Sequence, residues 1–301
     1  MTGQGIDIDR FKGRLRFNVP MSRHTSLGGG GDADVLAVPV DENDMQTILH
    51  FAGDKGYPLL VMGGGTNLLV KDGGVRGVVL DLSEGFGAIT MMGENRIEAG
   101  AGVRLSELVS LCKEKGLSGL EFAAGIPGCV GGAVAMNAGA YGGEMKDIVE
   151  GIEVVNRTGK VSFIKALDIG FIYRGTGLPM DVIILKARMQ LLQSSTDEVK
   201  KQIADNRVRR RSSQAINLPN AGSVFKNPEN MSAGRLIEEA GLKGLRGGGA
   251  QISEVHANCI VNLGNAKACD VLALIAEVRD SVYQRTGILL EPEIKVVGEE
   301  L

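Results

Sequence analysis

Residues 121–145 read EFAAGIPGCVGGAVAMNAGAYGGEM, and seven glycines fall between Gly125 and Gly143, interleaved with alanine, one proline and Asn137. A stretch this long and this free of bulky side chains is uncommon inside a compact domain unless it serves a ligand. Small residues let a flat or extended ligand lie against the backbone. The alternative is a buried crossing where two elements pack closely. A second glycine stretch lies upstream, VMGGGTNLLV at 61–70. There an apolar strand runs into Gly63, Gly64 and Gly65, whose bared N–H groups can form an anion-binding nest, with Thr66 and Asn67 adding side-chain donors. A plain tight turn between two strands is the other reading. Neither G-x-G-x-x-G nor G-x-x-x-x-G-K-[ST] occurs, which argues against a Rossmann nicotinamide site and against a P-loop nucleotidase.

The whole chain shares this bias. It has 301 residues and 44 glycines, roughly twice the usual 7% share. The glycines follow no three-residue period, so collagen is excluded. With 44% hydrophobic residues, 23% charged and 8 prolines, the chain has ample material for a folded core. A net charge of -3 gives no pull toward nucleic acid or an anionic membrane surface. No apolar run approaches a membrane span and no secretory leader is visible, so a cytoplasmic protein without membrane insertion is expected. Cys112, Cys129, Cys259 and Cys269 form no C-x-x-C pair, and each sits among apolar or small neighbours, which predicts four reduced and buried thiols. His24, His50 and His256 are far apart, so no metal site is expected.

Hydrophobic periodicity predicts an α+β chain. Strands are expected at 34–39, 58–62 and 77–82 around a helix at 43–55 that stops at Gly56. A strand at 95–99 and a helix at 105–115 ending at Gly116 follow. A hairpin about Thr158-Gly159 joins 151–156 to 160–164, and 182–191 is a further strand. A polar helix at 195–213 leads to a last unit. It holds SAGRLIEEAG at 232–241 with Ser232 as N-cap, and a long helix at 267–286 whose face carries Ala268, Val271, Leu272, Ile275, Val278 and Val282. Gly287 ends that helix, and ILLEPEIKVVG at 288–298 closes the chain as a strand.

Three further segments carry polar chemistry. In NAGSVFKNP, 220–228, Ser223 follows Gly222, and Lys226 and Asn227 follow closely. Phe225 rules out a G-x-S-x-G elbow, and an ordinary turn serine is the alternative. Lys226 and the run Arg207, Arg209, Arg210, Arg211 fit an anionic substrate, although such a run is more often a solvated helix face. In LEPEIKVVG, 290–298, Glu291 and Glu293 would share a face if the segment is a strand. In FIYRGTG, 171–177, Arg174 could clamp a carboxylate.

Taken in order, these segments resemble one family, the UDP-N-acetylenolpyruvoylglucosamine reductases, flavoenzymes that make UDP-N-acetylmuramate for bacterial peptidoglycan. The resemblance also covers PMSRHTSLGGGGDAD at 20–34 and GGAQISEVHANCIVN at 248–262. It implies a two-part FAD-binding module of the vanillyl-alcohol-oxidase type followed by an α+β substrate-binding domain. Expected boundaries are 1–80 and 81–194 for the two flavin subdomains and 195–293 for the substrate domain, with 294–301 returning to the first. Gly63, Gly64, Gly65, Thr66 and Asn67 would carry the FAD pyrophosphate. Gly125, Ile126, Pro127, Gly128, Gly131, Gly132, Ala133, Asn137, Gly139 and Ala140 would line the cofactor.

The implied reaction has two halves: NADPH reduces FAD and leaves, then UDP-N-acetylglucosamine enolpyruvate enters and is reduced. Hydride goes to its vinylic carbon, and a proton must reach the carbon beside the carboxylate. Ser223 matches the family's proton donor, Arg174 the residue that pairs with the substrate carboxylate, and Glu293 a carboxyl on the other side of that group. Lys226, Asn227 and His256 would lie by the diphosphate. No obligate protein partner and no nucleic acid are implied. The segment TSLGGGG at 25–31 departs from the family pattern, and Ala215 replaces a proline common after the basic run. The chain looks too short for the extra tyrosine-bearing loop of longer members, so it resembles the shorter subclass. Two alternatives remain at this level: a flavoenzyme with another substrate, and a non-catalytic protein that binds anionic nucleotides.

Overall fold

The first helix shows how local chemistry sets the fold. Asp41 precedes it and accepts the Asp44 N–H at 2.9 Å, satisfying a donor that the helix itself leaves open. Helix α1 (Glu42–Lys55) then runs to Gly56, whose φ of 65° is left-handed. It buries Met45, Ile48, Leu49 and Ala52 on one face. This computed structural model describes residues 11–213 and 217–301; Ala215 and the first ten residues lie outside them.

A four-stranded sheet stands in the order β1, β2, β5, β3, where β1 is Arg14–Pro20, β2 Asp32–Val38, β3 Leu59–Met62, β4 Leu68–Val70 and β5 Val75–Asp81. Strands β3 and β5 are parallel. Six of the seven β2 residues are buried, as an apolar run covered on both faces should be. Strand β1 was hidden from periodicity because its RLRFNVP is charged and mostly exposed, a sequence suited to a sheet edge.

Strands β6 (Ile89–Met91) and β7 (Arg96–Gly100) belong to a second sheet of five strands, ordered 161–165, 149–155, 183–190, β7, β6 and antiparallel throughout. The expected hairpin is present, and the Asn156 side chain accepts the N–H groups of Thr158 and Lys160 at its turn. Helices α2 (Leu105–Lys115) and α3 (Val130–Ala135) follow. Gly116 stops α2 with a φ of 65°.

Two compact units result. Of the described residues, the first holds 11–17, Val35–Gly64 and Gly77–Arg210; the second holds Asn18–Asp34, Gly65–Arg76, 211–213 and 217–301. The core of the first includes Val35, Ile48, Val78, Leu80, Ile97, Leu108, Val130, Ile152 and Leu185. The core of the second includes Leu69, Val224, Phe225, Ile237, Val271, Leu274, Val278, Val282 and Ile294. In the second unit Ser232 caps the Ala233–Glu239 helix as expected. The Ala268–Thr286 helix ends at Gly287, φ 74°. Its start is capped by a residue far away in sequence. The Asp72 carboxylate accepts the N–H groups of Ala268 and Cys269 at 2.8 and 2.9 Å.

Two expectations need correction. The closing strand covers only Lys295–Val297, paired in parallel with β4. Upstream of it Pro292 has no N–H to donate, and the segment makes one isolated bridge, to Phe225, instead of a ladder. Glu291 and Glu293 therefore do not follow the period-two rule. Glu291 is exposed and pairs with Lys226 at 2.6 Å, whereas Glu293 is half-buried. Among the cysteines, Cys112, Cys129 and Cys259 are buried, but Cys269 is exposed, because the first turn of its helix faces solvent there.

Candidate functional site

The first glycine stretch leaves β3 with partly uncovered backbone: Gly63 is half-buried and Gly64 exposed. Burial pushes the Cys129 thiol above its usual range, opposed by a hydrogen bond from the Gly64 N–H. Gly65 has a φ of 61°, and a Cβ there would lie 2.1 Å from the His24 carbonyl, so only glycine fits. Asn67 turns its amide to main chain: Nδ2 donates to the Glu293 carbonyl at 3.1 Å, and the Lys295 N–H donates to the Asn67 carbonyl at 3.0 Å. The residue expected at the phosphates thus also holds the chain at Glu293.

The second stretch contains α3 and is pinned to its own unit. The Gly131 N–H donates to the Ala101 carbonyl at 2.9 Å, and a Cβ on Gly131 would meet the Ala101 Cβ at 2.7 Å. Gly132 is exposed, and a Cβ there would meet nothing within 4 Å. One glycine is therefore needed for packing and the other faces open space.

Helix α3 closes in a Schellman motif: Asn137 N–H bonds to the Val134 carbonyl at 2.9 Å and Ala138 N–H to the Ala133 carbonyl at 2.8 Å. Asn137 takes the left-handed position, φ 40°, and is fully buried. Its side chain is committed to protein. Nδ2 donates to Glu144 Oε2 at 2.9 Å and to the Ile172 carbonyl at 3.0 Å, and Oδ1 accepts the Lys146 N–H at 3.0 Å.

Ile172 belongs to the hairpin that presents Arg174. Phe171–Ile172 pair with Gly175–Thr176, leaving Tyr173 and Arg174 as the turn. Arg174 has a φ of 56°, an unusual backbone for a residue with a Cβ. Its guanidinium donates to the Gly139 carbonyl at 2.8 Å and lies 5.0 Å from the Tyr173 ring centre. Glycine loop and arginine are thus tied at two points, through Asn137 and through Gly139.

The basic run separates. Arg207, Arg209 and Arg211 are exposed, but Arg210 lies against Gly125, where a Cβ would meet its Cδ at 2.9 Å. Burial lowers the Arg210 pKa, and a hydrogen bond with Tyr141 opposes that. Near it a cleft of about 460 Å³ is lined by Glu121, Tyr141, Gly142, Asn206 and Arg209. Glu121 accepts the Gly119 N–H at 2.7 Å through one oxygen, while its Oε1 is buried and unpartnered. Sequence reasoning named Arg210 only as one of a basic run and missed Glu121, since nothing in the local pattern separates either from surface charges.

In the second unit Ser223 is half-buried, on a segment that runs antiparallel to Glu291–Ile294. The Glu293 N–H donates to the Val224 carbonyl at 2.7 Å, and the Lys226 N–H to the Glu291 carbonyl at 2.9 Å. Asn227 accepts the Ala233 N–H at 3.0 Å, at the start of a helix. His256 Nδ1 accepts the Asn258 N–H at 3.2 Å. Ser223, Lys226, Asn227, Asn67 and Glu293 therefore share one unit with His256, and Arg174 shares the other with the second glycine loop.

Open space at Gly132 and partly bared main chain at Gly63 and Gly64 suit a flavin dinucleotide, which needs a smooth wall and N–H donors for its phosphates. Among the described residues no cluster of three or more His, Cys, Asp or Glu could hold a metal, and no helix is long and apolar enough to cross a membrane.

Comparison with known proteins agrees. Residues 33–164 match a family model described as an FAD binding domain, and residues 214–297 match the C-terminal domain of UDP-N-acetylenolpyruvoylglucosamine reductase. The chain is 46% identical over 294 residues to the UDP-N-acetylenolpyruvoylglucosamine reductase of Geobacter metallireducens, covering 96% of each. It is 43% identical over 301 residues to that of Caldanaerobacter subterraneus, covering 98% of this chain and 99% of the relative. A crystal structure of the Thermus caldophilus reductase superposes with a TM-score of 0.82 at 38% identity, covering 95% of this chain and 98% of that one. A cholesterol oxidase shares the fold over 62% of this chain, with a TM-score of 0.50.

Proposed function

The chain belongs to the UDP-N-acetylenolpyruvoylglucosamine reductase family, and we propose that it uses NADPH as reductant and Ser223 as proton donor. It is an FAD-dependent oxidoreductase that reduces the enolpyruvyl group of UDP-N-acetylglucosamine enolpyruvate, giving UDP-N-acetylmuramate for peptidoglycan. The redox chemistry, hydride uptake from NADPH and hydride delivery to the enolpyruvyl double bond, is what FAD supplies when bound. Gly63, Gly64, Gly65 and Thr66, with Gly125 to Ala140, hold the cofactor, and Asn67 and Asn137 shape that wall from behind. The proposal keeps flavin subdomains at 1–80 and 81–194 and a substrate domain at 195–293. It also keeps a cytoplasmic location without an obligate partner, where nucleotide substrates are available.

The residues of the chain handle charge and protons. Hydride addition leaves electron density beside the substrate carboxylate, and Arg174 meets it with a planar, permanently charged fork. The strained turn at Arg174 and its bond to Gly139 support a fixed direction for that fork. Ser223 delivers the proton to carbon. A hydroxyl is a weak acid, so it serves only against a strongly basic enolate held in place. Glu293 lies beyond the same group and shares a proton with the developing acid. Lys226, Asn227 and His256 border the diphosphate.

The observation that carries this reading is the antiparallel seating of the Ser223 segment on the Glu293 segment through bonds of 2.7 and 2.9 Å, which keeps a hydroxyl and a carboxyl on neighbouring segments. The test is anaerobic. Ser223→Ala should leave bleaching of the flavin by NADPH unchanged and slow reoxidation by the enolpyruvyl sugar nucleotide by about 10²- to 10⁴-fold. Equal slowing of both halves would make Ser223 structural.

A further inference from the structure

Ser223 lies on a segment that belongs to no sheet; its ladder contacts are two isolated bridges, Asn220 with Val261 and Phe225 with Pro292. The main-chain groups of that segment are nonetheless matched on both sides. On one side the Val224 carbonyl accepts from Glu293 N at 2.7 Å and from Ile294 N at 3.3 Å, and Lys226 N donates to the Glu291 carbonyl at 2.9 Å. On the other side one residue stands where a strand would be. Asn258 Nδ2 donates to the Phe225 carbonyl at 2.7 Å, and Phe225 N–H donates to Asn258 Oδ1 at 2.9 Å. Val224 N–H donates to the Asn258 carbonyl at 2.9 Å.

A side-chain amide carries the same donor and acceptor as a peptide, so Asn258 completes both groups of Phe225 as a neighbouring strand would. The contact is dry: Asn258 is 3% exposed and Phe225 1%. Asn258 is itself held. Its N–H donates to His256 Nδ1 at 3.2 Å, and the strand Ile260–Asn262 that follows pairs with Ala250–Ile252.

We infer that Asn258 is a positioning residue that fixes the height and direction of Ser223 through the backbone of Val224 and Phe225. Glu293 is bonded to the opposite edge of the same segment, so Asn258 also sets the spacing at which hydroxyl and carboxyl meet the substrate. Among the standard side chains only glutamine carries the same amide, one methylene farther from the main chain. Alanine supplies neither partner and leaves the Phe225 N–H and C=O buried without one. Ionised aspartate accepts but cannot donate. His256 acts through the same contact, by holding the main chain of Asn258.

This inference rests on the reading of Ser223 as proton donor, and the test separates the two. Asn258→Ala and Asn258→Asp are made in the holoenzyme, each alone and with Ser223→Ala, and both half-reactions are followed anaerobically. Asn258→Ala should slow reoxidation by the enolpyruvyl sugar nucleotide by about 100-fold while bound FAD and its bleaching by NADPH stay unchanged. With Ser223→Ala already present it should cost less than about threefold more, because the two act as one unit. Amide hydrogen exchange at 223–227 should speed up without any substrate. Asn258→Asp should fall between, and recover as pH drops and the protonated carboxyl donates to Phe225 again; it carries the test if the alanine variant folds poorly. Additive losses, equal slowing of both half-reactions, or unchanged exchange at 223–227 would overturn the inference alone. A Ser223→Ala enzyme that reoxidises normally would overturn the proton-donor reading and this inference with it.

Discussion

Asn137 offers a direct measure of how firmly the second glycine loop is tied to the Arg174 hairpin. Asn137→Gly keeps the left-handed backbone at φ 40° and removes the side chain's three hydrogen bonds. Two of these go to main-chain groups, of Ile172 and Lys146, and contribute about 1 kcal/mol each; the bond to the Glu144 carboxylate contributes about 1.5–3 kcal/mol. The site is fully buried, so little water replaces them. The expected loss is about 4 kcal/mol. Asn137→Ala should cost about 1 kcal/mol more, because a Cβ disfavours the left-handed region. Urea unfolding of the apoprotein, followed by circular dichroism, measures both without cofactor linkage. The hairpin at Ile172 carries Arg174, so the holoenzyme should show a raised KM for the enolpyruvyl substrate as well. A loss under about 1 kcal/mol for Asn137→Gly would refute the clamp, and alanine no worse than glycine would refute the backbone argument.

Three further outcomes are expected. Asp72→Asn should weaken the start of the Ala268–Thr286 helix by about 1 kcal/mol at pH 7. Burial opposes ionisation of Asp72, but the N–H groups of Ala268 and Cys269 hold its carboxyl below the usual range. Its stabilisation is therefore present above the unfolded pKa and lost as pH falls through the folded one, so the Tm gap between wild type and Asp72→Asn should close toward acid pH. Gly65→Ala, which drives a Cβ to 2.1 Å from the His24 carbonyl at a positive φ, should yield protein with much less bound flavin, read from the 450 nm band. Of the four cysteines only exposed Cys269 should react with a maleimide under native conditions, faster as pH rises. Cys112 and Cys259, pushed up to about 12 by burial, should stay silent until denaturant is added.

Elements with local causes were legible in the sequence. The helices at 43–55, 105–115 and 267–286 carry their own apolar stripe and glycine stop, and the structure ends each at Gly56, Gly116 and Gly287. Strand β1 and the short strands at 246–262 were not, since a charged edge and three-residue strands have no period to read. The closing segment misled for the opposite reason. LEPEIKVVG has the alternation of a strand, but Pro292 and the bonds to Val224 and Lys226 hold its first half outside any sheet.

The sequence by itself determined the fold class, the two glycine loops and the ordered motifs that identify a flavin-dependent reductase, because these rest on residue type, local spacing and backbone freedom. Tertiary structure alone decided which side chains those motifs lean on. Asp72 caps a helix 196 residues away, Asn67 holds Glu293 across 226, and Asn258 completes Phe225 across 33. Arg210 leaves an otherwise solvated run to lie against Gly125. Each is a hydrogen bond or contact between polar groups that look ordinary where they stand in the chain. Only folding brings the partner close and removes the water that would otherwise satisfy them.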